Sequence, residues 1–316
     1  MPNWDSVLKE ISQLQITSNE SAFDKARRKY LKRLYSHTGR NVIAYYSGFL
    51  SKPRLEGIEI NDEDKNGFML CIHGLDRSKG LDVILHTPGG DGQATISLVE
   101  YLRSMFGNDM RAIIPQIAMS AGTMIACSCK EIVMGKQSSL GPVDPQFGVI
   151  GAANLLEEVK KAKADIASNP NLAMFWGPIL QKITPSFLER CEWAVADSNE
   201  FLDTTLRQNM FANLSEELRN QRTESVKSSF ANNEGRAHNT HIQYAKCLEA
   251  GLNVARLEND PTLQDLVLTI HHCYMHTLSN TAAFKVIENH LGKAMVRQQQ
   301  VQYMAAPMSL SAGGPS

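Results

Sequence analysis

Short apolar runs and helix-period segments alternate through the middle of the chain. Runs rich in β-branched and aromatic residues predict strands at 41–49, 67–75, 81–87, 111–118 and 130–135. Between them, the apolar residues of 92–105 recur at helical spacing, and 121–129 is composed of small apolar residues that suit a buried helix. This alternation predicts an α/β fold whose sheet contains parallel strands covered by helices.

Beyond Gly151 the strand pattern weakens and helical periodicity dominates. It predicts helices at 152–167, 185–210, 214–221, 242–251 and 263–292. Four regions are therefore expected: an N-terminal helical arm (1–38), an α/β core (39–150), a mainly α-helical extension (151–297) and a flexible, Gln-, Ala-, Ser- and Gly-rich tail (298–316).

Charge and composition narrow the class of protein. The 32 basic and 33 acidic residues nearly cancel, so no overall charge favours nucleic acid, and 43% hydrophobic residues suit a globular chain. The dense basic run of 27–33 is interpreted as a solvated helix face. No secretory signal or membrane-spanning segment is recognisable, and the six cysteines lack paired spacing. A cytoplasmic protein with reduced thiols is expected.

Two turns carry the candidate chemistry. The first, at 86–92, places adjacent glycines directly after a strand, where backbone N–H groups can face a ligand. Nucleotide binding is disfavoured because neither GxGxxG nor GxxxxGK[ST] occurs. The second turn places Ser120 between a strand and a helix, where the positive end of the helix dipole favours a developing oxyanion. Ser120 is thus either a nucleophile or a helix N-cap.

The paired motifs HTPGGDGQA and AMSAGTMIACSCKEIVMGKQSSLGPVDPQ resemble the ClpP/crotonase superfamily, specifically the serine dehydrogenase proteinase family related to signal peptide peptidase SppA. The resemblance extends over most of 20–293. It implies a spiral ββα core, a homo-oligomer that encloses its active sites, and neither a cofactor nor a metal. It also implies Ser120 as nucleophile and the amides of Gly90 and Ala121 as the oxyanion hole. The residues expected to shape the substrate cleft are Gly89, Asp91, Met119, Gly122 and Asp144.

The general base is less well defined. The segment 139–145, where ClpP carries its catalytic histidine, contains none, whereas SppA-like relatives use a lysine. Lys163 is the first choice because it borders the apolar stripe of its predicted helix, and Lys160 is the second. The remaining candidates are Lys161, Lys136, Lys182 and the histidines 238, 241, 271, 272 and 276. His272 and His276 have the spacing of a zinc helix, but the HExxH glutamate is missing.

These observations predict a serine peptidase that hydrolyses peptide bonds with a Ser/Lys dyad and a backbone oxyanion hole. Its partners would be a protein or peptide substrate and further copies of itself. Two alternatives remain: a crotonase-like enzyme that uses the same amides on an acyl-CoA thioester, and an inactive scaffold of the same fold that binds peptides.

Overall fold

Helices and strands alternate along the chain in the computed structural model, which describes residues 4–17, 21–231 and 240–299. The helices are α1 (Trp4–Thr17), α2 (Ala22–Thr38), α3 (Asp64–Ile72), α4 (Gly92–Phe106), α5 (Ala121–Cys127), α6 (Ala152–Ser168), α7 (Ala173–Leu180), α8 (Pro185–Thr205), α9 (Glu216–Phe230), α10 (Tyr244–Glu249) and α11 (Pro261–Asn280). The strands are β1 (Asn41–Ser47), β2 (Leu81–His86), β3 (Met110–Ile114), β4 (Ile117–Ala118), β5 (Glu131–Met134), β6 (Ser139–Leu140), β7 (Gln146–Phe147), β8 (Ile150–Gly151), β9 (Ile242–Gln243), β10 (Val254–Arg256), β11 (Ala283–Asn289) and β12 (Ala294–Gln298).

A central sheet organises the fold, with the strand order β10-β5-β3-β2-β1-β11-β12. Neighbouring strands are parallel from β10 to β1, whereas β11 and β12 are antiparallel additions. Helices α2 and α11 cover one face, and α3, α4 and α5 pack on the other. Covering both faces buries the apolar strands of a parallel sheet. The predicted mixed α/β fold with a central sheet is confirmed.

The segment predicted as a strand at 67–75 is instead helix α3. Phe68, Cys71 and Ile72 are buried, whereas Met69 and Leu70 are 50% and 44% exposed. This spacing of three and four is helical, and a short apolar run does not distinguish a buried helix from a strand. Gly67 allows α3 to pack closely on the sheet, because a Cβ at this position would lie 2.6 Å from the Ile287 side chain.

A proline divides the predicted strand at 111–118 into β3 and β4. Pro115 lacks the N–H that a ladder requires, so β3 ends at Ile114. Strand β4 then leaves the central sheet and joins a small sheet of order β4-β6-β9. The change of sheet directs the chain after Ala118 toward the end of β2.

The predicted helix at 263–292 is only partly correct. Helix α11 ends at Asn280, and Ala283–Asn289 form strand β11, every residue of which is buried. The helical extension therefore contributes β10, β11 and β12 to the same sheet as the core strands. Of the tail predicted at 298–316, Gln298 ends β12, and 300–316 lie outside the described residues.

The basic run of α2 is only partly the solvated face predicted from its charges: Lys29, Lys32 and Arg33 are exposed, but Arg27 is not. Arg27 is fully buried, and its Nε donates to Glu288 of β11 over 2.8 Å. Its Nη1 donates to Thr277 over 3.0 Å. Burial of a guanidinium requires this compensation, because an unpaired charge in the interior is costly. A count of basic residues along a helix therefore does not reveal which single arginine is buried.

One buried imidazole at the end of β2 has no visible compensation. His86 is fully buried among Tyr46, Phe49 and His271, with ring centroids 5.0 to 5.5 Å away. Neither ring nitrogen has a hydrogen-bond partner among the described residues. Burial lowers the pKa of His86 to about 3, so the folded protein holds this ring neutral.

We expect His86 to make the protein acid-sensitive. Between pH 6.5 and 3 the unfolded state binds a proton at this position that the folded state does not, so stability falls as the pH falls. The loss at pH 5 relative to pH 7.5 is about 2 kcal/mol. Urea unfolding of the wild type and of His86→Leu at both pH values tests this, because the variant removes only the imidazole contribution. An equal pH dependence in the two proteins would contradict the prediction.

Candidate active site

The first functional turn joins β2 to α4. After His86 the chain passes through Thr87 and Pro88 into two glycines with positive φ angles, 107° at Gly89 and 155° at Gly90. Asp91 then caps α4, and its carboxylate accepts a hydrogen bond from the Ala94 amide over 2.7 Å. The glycines permit a tight change of direction at the carboxyl end of a parallel strand, which is where α/β folds place their ligands.

The second turn joins β4 to α5 and contains a strained serine. Ser120 has φ 48° and ψ −113°, and it is the only non-glycine residue with positive φ in the described chain. Its side chain does not cap α5, which disfavours the purely structural interpretation of this serine. Such backbone strain costs about 1–3 kcal/mol and is typical of functional sites.

Hydrogen bonds between the two turns bring them together. The Thr87 amide donates to the Ile117 carbonyl over 3.1 Å, and the Met119 amide donates to the Thr87 carbonyl over 3.1 Å. A Cβ built on Gly89 would lie 2.7 Å from the Ser120 Cβ and 3.3 Å from the Ala121 nitrogen. Only a glycine therefore fits between the first turn and Ser120.

Two backbone amides remain available beside Ser120. Ile60 pairs with the first turn through the Gly89 carbonyl and the Asp91 amide, so the Gly90 N–H points away from Ile60. Ala121 is the first residue of α5, where N–H groups lack partners inside the helix. Two such donors, together with the helix dipole, can stabilise a developing negative charge.

A cleft of about 1040 Å³ opens over Ser120 and Gly90. Its opposite wall is helix α8, which contributes Arg190, Trp193 and Asp197. The β7–β8 hairpin adds Phe147, and the Arg190 guanidinium lies 5.1 Å from the centre of its ring. The cleft therefore joins a floor that contains Ser120 and Gly90 to a wall with both apolar and charged groups.

The residues predicted to shape the cleft fall into two groups. Asp91 and Asp144 line it, and the buried Asp144 carboxylate accepts a hydrogen bond from the side-chain Nε2 of Gln146 over 2.5 Å. Gly89, Met119 and Gly122 are not part of the lining. Gly122 instead allows close packing, since a Cβ there would lie 2.5 Å from the Thr87 methyl group.

The structure does not bring the predicted lysines to Ser120 within one chain. Lys163 and Lys160 are exposed on α6, and Lys160 pairs with Glu157 over 3.3 Å. The other lysine candidates, Lys161, Lys136 and Lys182, are exposed as well. Among the described residues, the cleft lining includes neither a lysine nor a histidine. The identity of the general base stays a prediction.

The candidate histidines lie elsewhere. The His241 ring is 2.7 Å from the Ser139 hydroxyl, and His271 is buried beside Tyr46. His272 and His276 contact the Trp4 ring, with centroids 5.3 and 3.9 Å away. His238 lies outside the described residues. No group of three His, Cys, Asp or Glu side chains with metal-binding geometry occurs in the described parts of the chain.

Sequence reasoning missed the contribution of α8 to the site. The segment 185–210 reads as a helix, but nothing in its periodicity separates Arg190, Trp193 and Asp197 from other polar or exposed positions. The 60% exposure of Trp193 beside the cleft is visible only in the structure, so the sequence offered no signal for this wall.

The strain at Ser120 leads to a stability prediction. Ser120→Gly removes the Cβ that disfavours this conformation, whereas Ser120→Ala retains it. We expect the glycine variant to be about 1 kcal/mol more stable than the alanine variant, although both lack the hydroxyl. Urea unfolding of the two variants measures the difference. A glycine variant less stable than the alanine variant would show that the turn is not strained.

The comparisons with known proteins identify the family of the chain. A family model of ClpP-like SDH-type serine proteinases matches residues 13–182, which include both turns. The chain belongs to that family. The match ends before α8, so the helix that forms the far wall of the cleft lies outside the residues matched by the family model.

Two curated relatives come from Methanocaldococcus jannaschii. The uncharacterized protein MJ0137 is 32% identical over 154 residues, which are 47% of this chain and 53% of the relative. The uncharacterized protein MJ1495 is 33% identical over 136 residues, or 42% and 46% of the two chains. The chain thus spans about half the length of the curated relatives it matches.

No solved structure matches the chain. Among the helices formed by the described residues, none combines the length and apolar character required to cross a membrane. The family assignment therefore depends on the sequence, and the arrangement of the site depends on the geometry above.

Proposed function

We propose that the protein is a serine peptidase in which Ser120 attacks the peptide carbonyl and the amides of Gly90 and Ala121 hold the resulting oxyanion. The observation that carries the proposal is the position of a strained serine, without a capping role, between a glycine turn and a helix start at the floor of a cleft. Collapse of the tetrahedral intermediate leaves an acyl-enzyme on Ser120, which water hydrolyses.

A direct assay tests this function. Purified protein is incubated with a quenched-fluorescent peptide library and, separately, with a serine-directed fluorophosphonate. We expect peptide cleavage and a covalent adduct that peptide mapping assigns to Ser120. Absence of both cleavage and labelling would favour the inactive scaffold, whose cleft would bind the same peptides without hydrolysis.

The proposed base is a lysine donated by a neighbouring copy of the chain. Lys163, with Lys160 as second candidate, is exposed on α6, which packs against the cleft helix α8. Exposed apolar side chains occur near the same region, with Val149 fully exposed and Phe175 62% exposed. A homo-oligomer would cover such side chains, and burial at that interface would lower the pKa of a lysine toward the range of a useful base.

Mixing of inactive variants tests the shared site. We expect Lys163→Ala to lose about 10³-fold in kcat and Lys161→Ala, on the same helix, to remain active. Refolded mixtures of Lys163→Ala with Ser120→Ala should recover cleavage that neither variant has alone, because one interface then combines both intact residues. Full activity of Lys163→Ala and of Lys160→Ala would refute a base on α6.

A crotonase-like reaction is a second candidate because the cleft lining contains acidic residues, including the buried Asp144, but no lysine or histidine among the described residues. Such enzymes use paired amides to polarise an acyl-CoA thioester and carboxylates to move protons. Turnover of acyl-CoA thioesters that persists in Ser120→Ala would favour this reaction over peptide hydrolysis.

A further inference from the structure

The backbone of 58–61 lies directly against the proposed oxyanion turn. The Ile60 amide donates to the Gly89 carbonyl over 2.8 Å, and the Asp91 amide donates to the Ile60 carbonyl over 2.9 Å. A Cβ on Gly90 would lie 2.3 Å from both the nitrogen and the oxygen of Ile60. The position of the Ile60 backbone therefore sets the position of the Gly90 amide.

Three fully buried side chains form hydrogen bonds with the backbone of 58–61. The Ser47 hydroxyl donates to the Ile58 carbonyl over 2.6 Å. The Lys285 ammonium donates to the Glu59 carbonyl over 2.7 Å, and the Asp64 carboxylate accepts from the Asn61 amide over 3.1 Å. Consecutive backbone groups on either side of Ile60 are thus fixed to β1, α3 and β11.

Lys285 and Asp64 form a buried ion pair with each other. The Lys285 Nζ lies 2.8 and 2.9 Å from the two oxygens of Asp64. The Tyr45 hydroxyl donates to Asp64 over 2.9 Å. Burial lowers the pKa of Lys285, and the Asp64 carboxylate opposes this effect.

Stability alone is a weak reason for such a pair. The cost of removing two charges from water often equals or exceeds their attraction, so an apolar pair of the same volume can be as stable. The contacts of this pair, however, lead to the first turn: Lys285 and Asp64 hold Glu59 and Asn61, the neighbours of Ile60, and Ile60 pairs with Gly89 and Asp91 on either side of Gly90.

We propose that Lys285 and Asp64 are positioning residues that hold the Gly90 amide in line with the oxyanion, an inference that rests on the proposed peptidase function. They touch neither the substrate nor Ser120. Their effect is exerted on the transition state, because the Gly90 amide contributes most when negative charge develops on the carbonyl oxygen.

The chain offers a matched control for this test. Arg27 and Glu288 form another fully buried ion pair that involves β11, but they pack toward α2 and α11. The neutral double variant Lys285→Met/Asp64→Asn removes both charges without leaving one unpaired. Arg27→Met/Glu288→Gln removes both charges of the control pair, whose further partners, Asp24 and Arg28, are partly exposed to solvent. Both variants are compared with the wild type below their unfolding temperatures.

We expect the Lys285/Asp64 double variant to lose about 10- to 100-fold in kcat with KM within about threefold of wild type. Its affinity for a peptide aldehyde, which forms a tetrahedral adduct with a nucleophilic serine, should fall by a similar factor. The Arg27/Glu288 variant should keep kcat and aldehyde affinity within about threefold. Ser47→Ala, a milder change to the same segment, should lower kcat about two- to fivefold and provides the test if the double variant does not fold.

Amide hydrogen exchange measured by NMR provides a readout that does not depend on catalysis. Amide exchange at Ile60 and Asp91 should accelerate at least about tenfold in the Lys285/Asp64 variant and less strongly in Ser47→Ala. The Arg27/Glu288 control should exchange these amides at the wild-type rate. If the wild type neither hydrolyses peptides nor reacts with the fluorophosphonate, the proposed peptidase function is refuted. Amide exchange then decides by itself whether the Lys285–Asp64 pair fixes the turn. If the wild type is active, a folded Lys285/Asp64 variant with unchanged kcat or with unchanged amide exchange would overturn the positioning role.

Discussion

Ser120→Ala is expected to lower the rate of peptide hydrolysis by at least about 10⁴-fold while leaving the fold intact. The hydroxyl is the only group that the substitution removes, and Ala121 keeps its place at the start of α5. Loss of the nucleophile eliminates the acyl-enzyme route, whereas the cleft and both amides persist. Steady-state cleavage and fluorophosphonate labelling measure the loss, and circular dichroism checks the fold.

Ser198 supplies the control because it also lines the cleft, on the opposite wall formed by α8. Ser198→Ala should retain labelling and cleavage within about threefold, because Ser198 lies in the interior of α8, where the backbone N–H groups are bonded within the helix and cannot hold an oxyanion. Labelling that survives in Ser120→Ala and disappears in Ser198→Ala would move the nucleophile to the other wall and refute the mechanism.

Gly90→Ala is expected to lower kcat by about 10²- to 10³-fold, the usual cost of losing one oxyanion donor. The added methyl would lie 2.3 Å from backbone atoms of Ile60, which cannot rotate away as a side chain could. Either the turn or the 58–61 segment must shift, and both shifts misalign the Gly90 amide. The variant should also lose stability, and urea unfolding together with steady-state kinetics separates the two effects.

Gly177→Ala is the appropriate comparison for this substitution. Gly177 lies within α7, and a Cβ there would meet no atom within 4 Å. Alanine at this position should stabilise the helix by about 0.5–1 kcal/mol and leave kcat unchanged. If Gly90→Ala behaved like Gly177→Ala, with unimpaired kcat, the Gly90 amide would have no part in catalysis.

Local patterns predicted most elements correctly and failed where packing decided between two conformations. The strand at β2 and the helix at α4 follow from β-branched runs and helical spacing, and both are confirmed. The run at 67–75 suits a strand or a buried helix equally. It forms a helix that packs on β11 and β12, and the short run itself does not reveal this packing. The AFKVIEN segment forms a strand because β1 is available beside it, which local periodicity does not reveal.

The candidate site shows the same division. The two glycine and serine turns can be located from their positions between strands and helices, since turn chemistry is local. The wall formed by α8 could not be predicted, because Arg190 and Trp193 reach the cleft only through the packing of α8 against α6 and α9. The position of the lysines relative to Ser120 could not be predicted either. Helical periodicity places Lys163 beside an apolar stripe, but it does not reveal which part of the protein that stripe contacts.

By itself, the sequence determined the α/β class, the two turns and the family, because these depend on residue types at short spacings. Tertiary structure decided that Pro115 would divert β4 toward Thr87, that Gly89 would meet Ser120, and that Arg27 and Lys285 would be buried with partners hundreds of positions away. These outcomes depend on which surfaces of distant segments fill the same space. Contacts of that kind are selected by the packing of the whole chain and leave no periodic signal along it.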